Sequence, residues 1–221
     1  MTSGIVGGQW PLVSAALAGG AGYLLGSISF AIVASRAFGL ADPRTFGSHN
    51  PGATNVLRTG NKAAALITLL GDAFKGTVAV LLARWAAQQA GVAPDGVTMV
   101  AAAAGFGAFV GHLAPLYHGF AGGKGVATFL GVVLALDPRL ALGVGASWLV
   151  VALLSRYSSL ASLVSAGVAP ALFLATGRGF VVSGLLAAMA ALLAWRHRDN
   201  IAKLRQGTER KIGEKKPSGS S

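Results

Sequence analysis

At 221 residues the chain has the length of one ordinary domain, yet it is 53% hydrophobic and only 11% charged, with a mean hydropathy of +0.63. A soluble domain has about a quarter of its residues charged, so this composition suits a bilayer-facing surface better than a water-facing one. Eighteen Lys plus Arg against seven Asp plus Glu give a formal net charge of +11, which fits nucleic acid, anionic lipid, an anionic substrate or topology signals beside membrane spans; the absence of cysteine excludes disulfides, thiolate metal sites and a cysteine acyl-enzyme.

A helix needs roughly 20 apolar residues, and at least about 17, to cross the hydrocarbon core. The first such run, Pro11 to Ser35, lacks the basic start of a cleavable signal peptide and reads as a retained span. A polar loop over 36–62 follows, then a second span from Ala63 to Ala87, interrupted by Asp72 and Lys75. Ionisable residues inside a span are costly and usually paired or functional; three apart on a helix, these two can neutralise one another facing the bundle, with a part in a site as the second reading. The third span is Val97–Tyr117, and a glycine-rich loop over 118–125 comes after it. Two short segments, Val126–Leu136 and Leu140–Leu154, are parted by the helix-stopping Asp137-Pro138-Arg139. Ser158–Thr176, entered through a short loop at 155–158, and Phe180–Trp195 complete the set. The expected fold is therefore all-α: a single membrane domain of about seven transmembrane helices over 1–206, with a basic, disordered tail over 207–221. Glycines at 19, 20 and 22, at 105 and 107, and at 143 and 145 are expected at close helix contacts.

Seven spans place the termini on opposite sides. With the C-terminus taken as cytoplasmic, the loops on its side and the tail hold fourteen basic residues against three (Arg84, Arg139 and Arg178) on the other face. That is the positive-inside asymmetry, and it predicts an outside N-terminus.

The dense polar motifs all fall on the basic side. Gly47-Ser48-His49-Asn50-Pro51-Gly52-Ala53-Thr54-Asn55-Val56-Leu57-Arg58 combines small hydrogen-bonding side chains, glycines and a cation, the environment a phosphate needs. Singly, each of its Ser, Asn and Thr residues is also an ordinary turn or cap residue. Gly122-Gly123-Lys124-Gly125 is not a Walker A loop, because Gly125 stands where Ser or Thr belongs, yet a glycine loop with a lysine at a helix start can cradle an oxyanion. Arg156-Tyr157-Ser158-Ser159-Leu160-Ala161-Ser162 and Arg196-His197-Arg198-Asp199-Asn200 lie at the same boundary, where capping and snorkelling compete with substrate binding. His49, His112, His118 and His197 show no metal-ligand spacing, no Gly-x-Ser-x-Gly elbow is present, and no His is followed five residues later by Asp.

Together the stretches Ser48–Arg58, Gly71-Asp72 with Lys75-Gly76, Gly122–Thr128, Arg196-His197 with Asn200-Ile201, and Gly207-Thr208-Glu209 resemble the bacterial PlsY family of membrane glycerol-3-phosphate acyltransferases, over nearly the whole chain. Ser29 departs from the family, which often has proline after Gly-Ser-Ile, and this bears on the local helix kink. The resemblance implies an enzyme of the bacterial cytoplasmic (inner) membrane with its active site on the cytoplasmic face. It implies acyl phosphate and glycerol 3-phosphate as substrates, lysophosphatidic acid and inorganic phosphate as products, and neither cofactor nor metal. On it rest the expected roles: Arg58 and Lys124 clamp phosphate, Ser48 is catalytic with them, and His197 and Asn200 close the site. Asn50, Gly52, Thr54, Asn55, Gly122, Gly123, Gly125 and Ser162 bind and orient substrate. The expected partners are the lipid bilayer and the peripheral enzyme that makes acyl phosphate, with no nucleic acid. The competing reading is a transporter for a phosphorylated solute, disfavoured by short outer loops poor in charge.

Overall fold

The computed structural model describes residues 10–214, and all regular structure among them is helical. In chain order the helices are α1 (Trp10–Gly26), α2 (Phe30–Ala37), α3 (Ala53–Leu57), α4 (Lys62–Gln89), α5 (Pro94–Leu113), α6 (Val126–Leu136), α7 (Pro138–Ser155), α8 (Ser158–Ala175), α9 (Phe180–Arg196) and α10 (Arg198–Arg205). Five helical units among the described residues are long and apolar enough to cross a membrane, with α1 and α2 together making one of them. A sixth appears if α9 and α10, bent by 62° at His197, are taken as one span. The seventh expected segment, α6, has 11 residues and is only about 17 Å long at 1.5 Å per residue, against a hydrocarbon core of about 30 Å. By length and composition the helices reach six spans, short of seven.

Two seams hold the bundle, and both rest on small residues. A Cβ at Gly22 or Gly26 of α1 would overlap the backbone of Ala104 or Ala108 of α5, and one at Gly107 or Gly111 would overlap α1. At Gly131 of α6 a Cβ would overlap Ala73 of α4. Such absence of side chains lets helix backbones approach where lipid offers no hydrophobic drive. Gly105 instead receives the side chains of Val80 and Val132, while a Cβ at Gly145 or Gly20 would meet nothing within 4 Å, so the close-contact expectation fails at those last two positions. Between the seams, Phe109 and Phe129 meet edge-on with centroids 6.3 Å apart in a core that also holds Val132, Phe173, Leu186 and Met189. The outer wall is apolar: Leu154 and Phe180 are both 83% exposed, a surface that suits lipid.

The first span is broken at Ser27-Ile28-Ser29 although no proline is there. Ser27 Oγ donates to the Tyr23 carbonyl at 2.8 Å and accepts the Leu116 N–H at 3.1 Å. The break frees the Ile28 carbonyl, and Lys75 Nζ donates to it at 2.7 Å, as a carbonyl inside a bilayer requires.

Chain direction divides the polar segments between two ends of the bundle. At one end lie the loop 38–52 with α3, the loop 114–125, the α7–α8 turn and the chain from α10 onward. The other end holds the α4–α5 turn, Asp137 and the α8–α9 turn. Asp137 caps α7 by accepting from the N–H groups of Arg139 and Leu140 (2.9 and 3.2 Å) and pairs with Arg178 from the α8–α9 turn. Arg84 donates to the Leu136 carbonyl at 3.4 Å, so α6 reaches the far end despite its length.

Candidate active site

The loop from residue 38 to 52 is shaped by one buried side chain. Asn55, on α3, is 1% exposed. Its amide donates to the Pro43 and Phe46 carbonyls at 2.7 and 3.1 Å, and its Oδ1 accepts the Ser48 N–H at 3.0 Å and Arg58 Nη1 at 3.4 Å. Gly47 is required here: its φ is +63°, and a Cβ would overlap Asn55 Oδ1. Arg44 forks onto Asp42 at 2.7 Å, which holds that carboxyl below its usual range, and also reaches the His118 carbonyl at 3.4 Å, tying this loop to the next.

The glycine loop is gripped from two sides. Arg196, at the end of α9, donates to the carbonyls of Gly122 (2.5 Å) and Gly123 (3.0 Å). From below, the His112 carbonyl accepts the Gly123 N–H at 3.1 Å. A Cβ at Gly122 would overlap the His112 and Leu113 carbonyls, and one at Gly123 would overlap the His112 ring. Gly125, at φ +85°, starts α6 against Phe109.

Between these glycines Lys124 points to α10 and the stretch that follows it. Its Nζ donates to Asn200 Oδ1. Asn200 Nδ2 donates to Glu209 Oε1 at 2.7 Å, and Ser159 Oγ donates to the same oxygen at 2.6 Å. The stretch 207–214, expected to be disordered, therefore folds back over the site. Ile212 N–H donates to the Arg156 carbonyl at 2.7 Å, Arg156 Nη2 donates to the Ile212 carbonyl at 3.1 Å, and Lys211 lies over the Tyr157 ring. Residues 215–221, the rest of the expected tail, lie outside the described residues.

Apart from Arg44 on Asp42, the cations gathered at this site are not neutralised in place. Among the described residues, none of Arg58, Lys124 and Arg196 has a carboxylate within 4.0 Å. Burial pushes Lys124 below the ordinary lysine range; Glu209 opposes that shift, while Lys203 and Arg58 add to it. Burial lowers Arg58 as well, and the neighbouring Arg210 acts in the same direction. Cations held by amide and carbonyl oxygens, with their charge uncompensated, form a receptor for anions.

Of the residues singled out in the sequence, Ser48, Arg58, Lys124, Asn200, Gly122 and Gly123 come together at this end; Asn50 lies on the same loop as Ser48, and Thr54 on α3, which follows it. His197 is 3% exposed at the α9–α10 bend; its Nδ1 is 2.8 Å from the Leu193 carbonyl, which leaves Nε2 for another partner. Three expectations need correction. Asn55 is occupied in building the loop rather than facing a ligand. Gly123 has its N–H bonded to His112, so it supports the loop instead of donating to an anion. Ser162 packs α8 against α7: its hydroxyl accepts from Trp148 Nε1 at 3.1 Å and donates to the Ser158 carbonyl at 2.8 Å. Its neighbour one turn earlier, Ser159, joins the polar network instead. Ser159, Glu209 and the carbonyl-binding role of Arg196 were not foreseen. The outward sign of them is only that they sit within the boundary motifs.

A helical bundle with an apolar outer wall and a cluster of cations at one end has the build of a multi-pass membrane protein. The chain belongs to the glycerol-3-phosphate acyltransferase family, whose model matches residues 16–207. It is 55% identical over 206 residues to the glycerol-3-phosphate acyltransferase of Ralstonia pickettii, covering 93% of this chain and 98% of that one. Against the enzyme of the same name from Burkholderia pseudomallei it is 53% identical over 202 residues, covering 90% and 96%. Its fold resembles the crystal structure of PlsY (YgiH), an integral membrane glycerol 3-phosphate acyltransferase, in the glycerol 3-phosphate form. The TM-score is 0.78 at 36% identity, over 92% of this chain and 96% of that one. The lysophosphatidic acid form of the same protein gives 0.77.

Proposed function

We propose that this chain transfers an acyl group from acyl phosphate to the 1-hydroxyl of sn-glycerol 3-phosphate, releasing lysophosphatidic acid and inorganic phosphate for phospholipid synthesis. Family membership supports the acceptor and the reaction type, and the likeness to PlsY supports acyl phosphate as the donor. An acyl phosphate is already an activated anhydride, so no enzyme nucleophile is needed. The substrate hydroxyl oxygen attacks the acyl carbon and an ester C–O bond forms. The bond from that carbon to the phosphate oxygen breaks with its electron pair, and the hydroxyl proton goes to a phosphate oxygen. Arg58 and Lys124 clamp the two phosphates so that the reacting atoms approach within about 3–3.5 Å, and their charge stabilises the developing anion. Ser48, Asn50 and Thr54 orient the phosphates from the loop, Gly52, Gly122 and Gly125 give the backbone close access, and His197 and Asn200 close the site.

The observation that carries this reading is the convergence of uncompensated cations from three distant stretches, with Lys124 bonded to Asn200 across 76 residues of chain. We also place seven crossings in the bilayer, with α6 completing its own through the extended glycine loop, the N-terminus outside and the site on the cytoplasmic face of the inner membrane. The fourteen-to-three distribution of basic residues supports that orientation. There the site can receive acyl phosphate from the peripheral enzyme that makes it. The test is a purified assay in which acyl phosphate is compared with acyl-CoA and acyl carrier protein donors. The expected result is lysophosphatidic acid and inorganic phosphate formed one to one with acyl phosphate alone. Turnover with the thioesters only, or a trapped acyl-serine, would overturn the reading.

A further inference from the structure

Beneath the glycine loop lies a second charged cluster that the proposed reaction does not touch. Asp72 and Lys75, one turn apart on α4, pair at 2.9 Å with side chains 3% and 1% exposed. His112 of α5 completes the cluster: its Nδ1 is 3.0 Å from Lys75 Nζ and 3.5 Å from Asp72 Oδ1. Lys75 also donates to the Ile28 carbonyl freed by the break in the first span. Charges inside a membrane bundle are costly and are kept where they do something.

The other edge of His112 faces the site. Its Nε2 occupies the place where a Gly123 Cβ would project, and its carbonyl accepts the Gly123 N–H and lies against Gly122. The Pro51 carbonyl is 3.1 Å from that same Cβ position, so Gly123 itself borders the loop that carries Ser48 and Asn50. One residue thus joins the buried ion pair to the glycine loop. From above, Arg196 holds the same two glycine carbonyls, so the height of the loop is defined between a guanidinium and an imidazole.

We infer that the Asp72–Lys75–His112 cluster fixes the orientation of the His112 ring, and that the ring, wedged under Gly123, sets the position of Lys124 at the phosphate site. His112 is a positioning residue: it touches no substrate and acts through the loop. A residue present only to fill space would need no polar partner on its hidden edge, whereas Nδ1 of this ring is hydrogen-bonded to Lys75, which Asp72 holds in place.

The inference rests on the reading of Lys124 as a phosphate ligand, and the experiment separates the two. His112→Asn keeps an amide near the Nδ1 position for Lys75 but leaves space under Gly123, whereas His112→Gln reaches to the Nε2 position. In the cysteine-free chain, spin labels at exposed positions 121 and 202 (Ala121→Cys, Ala202→Cys) report the distance from the glycine loop to α10 without any turnover. The expected result is a broadened distance distribution in His112→Asn and a fall in kcat/KM of up to about 100-fold, the cost of a misplacement of about 1 Å, with most of both restored in His112→Gln. Gly123→Ala, which keeps every side chain of the cluster but presses a methyl against the ring from the loop side, should shift the same distance and lower kcat/KM, so the test stands even if His112→Asn does not fold. Unchanged distances and kcat/KM in Gly123→Ala, or equal losses in the Asn and Gln variants, would overturn the inference. An inactive wild-type protein would refute the proposed function while leaving the distance measurement to decide this one.

Discussion

The two ends of the bundle use similar residues to opposite effect. At the far end Asp137 satisfies two α7 amides and pairs with Arg178, so its charge is answered within the fold. At the motif end Arg44 is answered by Asp42, but three other cations meet oxygens that carry no full charge: Lys124 on Asn200, Arg58 on Asn55 and Arg196 on two glycine carbonyls. The sole carboxylate in the network, Glu209, binds Ser159 and Asn200 rather than a cation. The difference separates a structural polar end from a receptive one: what matters is not how many charges are present but how many remain unanswered.

Substitutions test that contrast in descending order of effect. Lys124→Ala should lower kcat/KM by about 10²–10³-fold, the usual loss on removing one donor from a developing anion, measured as phosphate release that requires both substrates. Arg58→Ala removes a charged hydrogen-bonding group and should cost roughly 10–100-fold. Between the ends, Asp72→Asn leaves Lys75 buried without its counter-charge and should destabilise the fold by about 3–5 kcal/mol, read by thermal unfolding in detergent. The pH profile offers a subtler probe. Because burial lowers Lys124, its cation is lost as pH rises, and kcat/KM should decline on the alkaline side below the ordinary lysine range. Bound anion favours the charged form, so saturating substrate should move that limb upward, and Lys124→Arg should remove it. The smallest effect belongs to the far end: Asp137→Ala should cost about 1 kcal/mol of stability through the lost cap and leave kcat/KM unchanged.

The apolar segments were legible because a membrane span is written in hydropathy alone. All seven stretches became helices, with ends within a few residues of those expected, although α6 is too short to count as a span by length. The break at 27–29 was hidden because it depends on serine hydroxyls and on Lys75, which lies 47 residues from Ile28, rather than on a local proline. α3 and α10 were missed because both sit in polar stretches that show no apolar run.

Positive charge and glycine mark one end of the bundle in the sequence, since topology sorts basic residues by face. Individual roles were harder to read. Asn55 and Ser162 look like ligand-binding residues in a string of small polar groups, but whether such a group bonds a backbone or a substrate is decided by what folds against it. Ser159 and Glu209 meet across 50 residues, and no local pattern records that distance.

The central claim is that unanswered cations at one end grip the substrate phosphate. The most direct measurement is the dissociation constant of glycerol 3-phosphate for purified wild-type protein, Lys124→Ala, Arg58→Ala and Asp137→Ala. The account predicts roughly 10–100-fold weaker binding in the first two variants and wild-type affinity in the third. Wild-type affinity in both Lys124→Ala and Arg58→Ala would contradict it.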